Sequence, residues 1–114
     1  MAAAGSAYEV SGERVISPVL KVLAGPNAGS ILQLHFPTTS FGRSGRVTYS
    51  FPNIRDLSRL HFTIIAEDGK LLIEDNDSTN GTFVNGNMVE SLQLHLGDVV
   101  EAGPIQMEVV AAAS

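Results

Sequence analysis

Ser58, Arg59 and His61 fall within four consecutive positions, directly ahead of the apolar stretch Phe62–Ala66. A hydroxyl, a guanidinium and an imidazole so close together could hold an anion or move a proton. Two other stretches carry related groups. Gly42-Arg43-Ser44 offers a second guanidinium and hydroxyl, and Asn76-Asp77-Ser78-Thr79-Asn80-Gly81 is a run of small polar residues between two apolar runs. Loops of that composition fold on side-chain-to-backbone hydrogen bonds. They also present hydroxyls, amides and free N–H groups together, as an anion or a peptide backbone requires. Delivered to one end of a sheet structure, the three stretches would supply two guanidinium groups, several hydroxyls and an amide. Asp56 and Asp77 are the acids that could face the same way. This chemistry binds phosphate, because the planar Arg fork matches its oxygens and hydroxyls and N–H groups complete their coordination.

Catalysis fits these residues less well. A nucleophile needs a base within hydrogen-bond reach and a third group that orients the base. Ser58 and His61 are three positions apart at the entry to a strand, and the chain has no nucleophile elbow, paired carboxylates or G-x-x-x-x-G-K loop. His35, His61 and His95 are 26 and 34 residues apart in apolar strand contexts, which argues against metal ligation. Cys is absent, so disulfides, thiolate metal sites and a Cys nucleophile are excluded. No catalytic residue, metal or cofactor is expected.

Charge narrows the ligand further. The net charge is −5, which opposes general nucleic-acid binding. Between Gly42 and His61, however, Arg43, Arg46, Arg55 and Arg59 stand against Asp56 alone, a window of +3, and the remainder carries −8. A small cationic site on an acidic body suits a small anionic target.

The elements that must position these groups read as strands. No apolar helix period is sustained, and short β-rich runs separated by turn residues recur every 8–12 residues, the pattern of a sandwich or barrel. Strands are expected over 19–23, 30–34, 39–42, 48–51, 62–66, 71–74, 82–84, 92–94, 99–101 and 106–110. Gly25-Pro26-Asn27 and Asp68-Gly69 are turns. Asn85-Gly86, between Phe83-Val84 and Met88-Val89, is the strongest hairpin signal, since its turn needs positive φ. The six residues 76–81 exceed what a hairpin needs. At 114 residues the chain suits a single domain with an aliphatic core, and no apolar run approaches a membrane span. Residues 1–17 read as a flexible tail without a secretory signal, 18–111 as the domain, and 112–114 as a short C-terminal tail.

Gly42-Arg43, Ser58-Arg59-Leu60-His61, the run from Asp75 to Gly86 (DNDSTNGTFVNG) and the run from Leu96 to Gly103 (LGDVVEAG) resemble, in order and spacing, a forkhead-associated (FHA) domain. The likeness covers roughly residues 18–111. It implies an all-β, eleven-stranded, antiparallel-rich sandwich that binds phosphothreonine peptides through loops at one end. Carried over by position, Arg43 contacts the phosphate or adjacent peptide and Ser58 donates its hydroxyl to a phosphate oxygen. Arg59 flanks the ligand, Thr79 lies at the phosphate pocket, and Asn80 holds the peptide main chain just beyond the phosphothreonine. Gly42, His61, Gly81, Asn85 and Gly86 are structural, with His61 a buried strut. Ser44, Arg46 and Arg55 belong to a possible specificity loop. One departure stands out. Such domains often read Asp-Ile-x-Leu after the first loop, where this chain has Thr48-Tyr49-Ser50-Phe51 with Tyr49 and Phe51 inward.

The expectation is therefore a non-enzymatic, monomeric interaction module for a phosphothreonine-containing protein segment. It is expected inside the cell, in cytoplasm or nucleus, without direct nucleic-acid or membrane contact. The alternative is a phosphorylation-independent structural or oligomerisation sandwich using an apolar face around Val89–Leu96. A small phosphohydrolase would lack a base and a metal site.

Overall fold

The computed structural model describes residues 8–9 and 15–112. Among them there is no helix, and so none long and apolar enough to cross a membrane. The strands are β1 (Tyr8–Glu9), β2 (Val15–Ile16), β3 (Pro18–Ala24), β4 (Ile31–Gln33), β5 (Thr38–Gly42), β6 (Tyr49–Ser50) and β7 (Phe62–Glu67). They continue as β8 (Lys70–Asp75), β9 (Thr82–Val84), β10 (Asn87–Val89), β11 (Ser91–Leu94), β12 (Val99–Ala102) and β13 (Ile105–Ala111). Eleven of them form two facing sheets, ordered β10-β9-β12-β13-β3-β4 and β11-β8-β7-β5-β6. Every pairing is antiparallel except β5 with β6. This is the sandwich the sequence predicts. Each of the ten expected runs holds a strand, and the eleventh strand, β10, is the second arm of the Asn85-Gly86 hairpin.

Alternation explains the layers. In β13 Ile105, Met107 and Val109 are buried while the residues between them are half-buried, so one face of the strand enters the core. The opposite sheet supplies Phe41, Phe62, Ile64 and Ile73. The Phe41 and Phe62 rings stack with centroids 4.5 Å apart, and Tyr49 stacks on Phe41 at 5.4 Å. Such ring pairs add about 0.5–1.5 kcal/mol beyond area burial.

Thr48-Tyr49-Ser50-Phe51 keeps its strand character by side-chain means. Ser40 N–H donates to Thr48 Oγ1 and Thr48 N–H to Ser40 Oγ, both at 3.0 Å. They extend a parallel pairing that otherwise spans only Phe41 with Tyr49 and Gly42 with Ser50. Phe51 is buried, and the half-buried Tyr49 donates its hydroxyl to the Gln33 carbonyl at 2.6 Å.

The run 76–81 is long because it is no hairpin. It leaves β8 in one sheet and enters β9 in the other, and a crossing between layers needs more chain than a turn within one. Register then sets the site. Phe41 pairs with Phe62, and Phe62 with Asp75. The end of β5, the start of β7 and the end of β8 are therefore level, and their three loops leave the sheet at one edge.

The expected N-terminal tail lies in part outside the described residues (1–7 and 10–14). Within the described part, β1 pairs with β2. Residues 113–114 of the expected C-terminal tail also lie outside, and Ala112 N–H donates to the Ser17 carbonyl at 2.8 Å.

Candidate functional site

Gly42 sets how closely the first two loops approach. A Cβ there would stand 2.1 Å from the Arg59 carbonyl oxygen and 2.9 Å from that of Ser58, so no larger residue fits. Beyond it, Arg43 N–H donates to the Ser58 carbonyl at 3.0 Å and Ser44 N–H to the Arg59 carbonyl at 3.1 Å. Arg43 Nε donates to the Leu57 carbonyl at 3.0 Å. That bond orients the half-buried guanidinium and leaves its two terminal amino groups for a ligand.

His61 ties the second loop to the third. It is fully buried. Its Nδ1 accepts the Ser58 N–H at 3.0 Å, and its Nε2 lies 2.8 Å from the Gly81 carbonyl oxygen. A backbone N–H can only donate and a carbonyl can only accept, so these partners select the tautomer with hydrogen on Nε2. Asn76 N–H donates to the His61 carbonyl at 2.9 Å.

Two more bonds close the cluster. Ser58 Oγ accepts the Thr79 N–H at 3.0 Å, and Asn80 Nδ2 donates to the Asp56 carbonyl at 2.9 Å. The Ser58 hydroxyl hydrogen remains available outward, as do the Asn80 side-chain oxygen and second amide hydrogen. Thr79, Asn80 and Arg59 are exposed and Ser58 half-buried. The loops that carry Arg43, Ser58, Arg59, Thr79 and Asn80 thus meet at one tip. Arg46, whose N–H donates to Ser44 Oγ at 3.1 Å, and Arg55 are exposed on the two loops that lead to it.

Asp75 organises the third loop, and sequence reasoning gave it no role. Its carboxylate accepts the Ser78 N–H, the Ser78 hydroxyl and the Thr82 hydroxyl. Ser78 Oγ in turn accepts the Gly81 N–H at 2.9 Å. Burial pushes the Asp75 carboxyl up, but the Ser78 and Thr82 hydroxyls and the Ser78 N–H outweigh it and hold the group below the usual carboxylate range. The readable signal was the Asp75-x-x-Ser78 spacing, at which a carboxylate reaches the N–H three residues on. The Leu57 and Asp56 carbonyls were also missed. They are main-chain groups and carry no signature in sequence.

Gly81 takes φ +92° and Asn85 and Gly86 take φ +52° and +87°. Asn85 does more than turn the chain. Its Oδ1 accepts the Val99 N–H and its Nδ2 donates to Asp98, both at 2.9 Å. Among the described residues no cluster of three or more His, Asp or Glu could hold a metal ion.

A family model described as the FHA domain matches residues 39–103. The chain belongs to the FHA domain family. The glycogen accumulation regulator GarA of Mycolicibacterium smegmatis is similar to this FHA domain, at 38% identity over 93% of this chain and 68% of the relative. A structure from work on phosphothreonine-dependent FHA domain interactions superposes with a TM-score of 0.74 at 29% identity, over 85% of this chain and 98% of the other. The FhaA FHA domain, solved in complex with the intracellular domain of Rv3910, superposes with a TM-score of 0.72 at 31% identity, over 82% and 99%. Family membership makes the chain a phosphorylation-dependent protein-interaction module for phosphothreonine peptides.

Proposed function

We propose that this FHA domain captures a phosphothreonine in a partner protein at the tip built from Arg43, Ser58, Arg59, Thr79 and Asn80. The observation that carries the reading is the Ser58 hydroxyl, which accepts the Thr79 N–H and keeps its own hydrogen free to donate where the loops of Arg43 and Asn80 come together. Ser58 and the Arg43 guanidinium donate to phosphate oxygens, and Thr79 borders that pocket. Asn80 holds the peptide main chain, and Arg59 adds positive charge at the flank. Ser44, Arg46 and Arg55 bear on the choice of neighbouring sequence.

The phosphate carries about −1.5 to −2 charge and three acceptor oxygens near neutral pH. Hydrogen bonds to charged groups are worth about 1.5–3 kcal/mol each, so two or three separate bound from unbound. An unphosphorylated peptide leaves these donors unpaired.

The module is non-enzymatic on this reading. Both His61 nitrogens are committed to backbone partners, so the one imidazole near Ser58 is no general base. The domain spans residues 18–111 and acts as a monomer inside the cell, where ATP-dependent kinases make phosphothreonine. Its acidic body disfavours nucleic acid. An oriented phosphothreonine peptide library tests the function and reports the preferred sequence together. Selection of phosphothreonine peptides over their unphosphorylated forms is expected. A stable dimer indifferent to phosphopeptide would overturn the reading in favour of an oligomerisation sandwich.

A further inference from the structure

We propose that Met88 is a modification site, oxidised by hydroperoxides, and that its sulfoxide displaces the loop carrying Thr79 and Asn80. The chain has three methionines, and the two among the described residues differ sharply. Met107 is buried at 1% exposure, whereas Met88 is 66% exposed. Met88 pairs with Phe83 across the β9–β10 hairpin, and its side chain lies over Gly81. A Cβ at position 81 would stand 2.9 Å from the Met88 methyl carbon, 3.6 Å from its Cγ and 3.4 Å from the Phe83 ring.

Gly81 is the joint of the third loop. Its N–H donates to Ser78 Oγ and its carbonyl accepts from His61. It precedes β9 and follows Asn80 directly. An apolar, flexible thioether rests on that bare backbone without strain. Oxidation changes the contact. A lone pair on Met88 Sδ attacks one peroxide oxygen, an S–O bond forms and the O–O bond breaks. The sulfur loses two electrons, and the departing oxygen takes a proton and leaves as water or an alcohol. The resulting sulfoxide is polar, larger and chiral. It turns from Gly81 toward water or pushes the joint aside. Either way Gly81 loses its apolar cover, which frees it and the adjoining Asn80 to shift. Met88 is thus a positioning residue. The effect on binding rests on the function proposed above, while the effect on the loop does not.

The test treats the intact protein with limiting hydrogen peroxide and follows it in three ways. Peptide mapping should find the added oxygen on Met88 well before Met107. Amide chemical shifts of Asn80 and Gly81 should move as Met88 oxidises. Affinity for a phosphothreonine peptide should fall several-fold with the melting temperature nearly unchanged, and methionine sulfoxide reductases should restore it. Met88→Leu should lose no affinity on peroxide treatment. Equal oxidation of Met107, or still amides after full oxidation of Met88, overturns the proposal. So does undiminished affinity in a protein that binds the peptide before treatment. If the untreated protein binds no phosphothreonine peptide, the functional reading fails, and the amide shifts still decide the role of Met88.

Discussion

The Ser58 hydroxyl oxygen accepts the backbone N–H of Thr79 at 3.0 Å. One short bond therefore joins two loops whose bonded residues are 21 positions apart in the chain and leaves the hydroxyl hydrogen free to donate to a ligand. Ser58→Ala removes both the bond and the donor. Phosphothreonine-peptide affinity should fall about tenfold to a hundredfold, the worth of one hydrogen bond to a charged group. Calorimetry with phosphorylated and unphosphorylated peptide checks this, and an unchanged dissociation constant would remove Ser58 from the site.

Arg43 tests geometry against charge. Its Nε is spent on the Leu57 carbonyl, which fixes the direction of the remaining donors. Lys keeps the charge but has no planar fork to satisfy both. Arg43→Lys should thus weaken phosphopeptide binding by about tenfold or more. If titration finds Lys equivalent to Arg, the oriented fork is irrelevant and only the charge counts.

His61→Ala should act on stability before affinity. The change strands a part-buried N–H at Ser58 and a buried carbonyl at Gly81. It also leaves a cavity where a fully buried ring stood. A loss on the order of 3 kcal/mol is expected in denaturant unfolding. Ser58→Ala, at a half-buried position, should lose less. The opposite ranking would mean that the imidazole is not the strut.

Gly42→Ala probes the contact between the first two loops. The new methyl would meet the Arg59 carbonyl at 2.1 Å, so the backbone must part and carry Ser58 and Arg59 away from Arg43. Overpacking of this kind costs about 1–3 kcal/mol. Both melting temperature and phosphopeptide affinity should drop, and a variant as stable as the parent would refute so tight an approach.

Acid should loosen the third loop through Asp75. Its carboxyl is held below the ordinary range in the folded state by the Ser78 and Thr82 bonds that outweigh burial. The folded protein therefore binds fewer protons at this group than the unfolded chain. Its stabilising contribution is complete above the unfolded value, about pH 4, and is lost as pH falls through the lower folded value. Asp75→Asn should be less stable at neutral pH and lose less on acidification. Denaturation curves across the acid range compare the two, and parallel pH profiles would clear Asp75 of this role.

Much of this molecule is readable from local pattern. Alternating apolar residues mark the strands because a strand turns one face inward every second residue. Asn85-Gly86 marks its hairpin because few other pairs accept two positive φ angles in succession. The polar run from Asn76 to Gly81 signalled a loop with work to do, and the four Arg residues between Gly42 and His61 gave the sign of its ligand.

Tertiary structure decided what those residues have to do with one another. Whether 76–81 folds back within a sheet or crosses to the other depends on which strands pair, and pairing rewards contacts between residues far apart in the chain. The bonds that shape the tip end largely on main-chain atoms: the carbonyls of Asp56, Leu57 and Gly81 and the N–H groups of Ser58 and Thr79. Every residue owns such atoms, so no residue type announces them. Only the level ends of β5, β7 and β8, set by the Phe41–Phe62–Asp75 register, bring them within bonding distance.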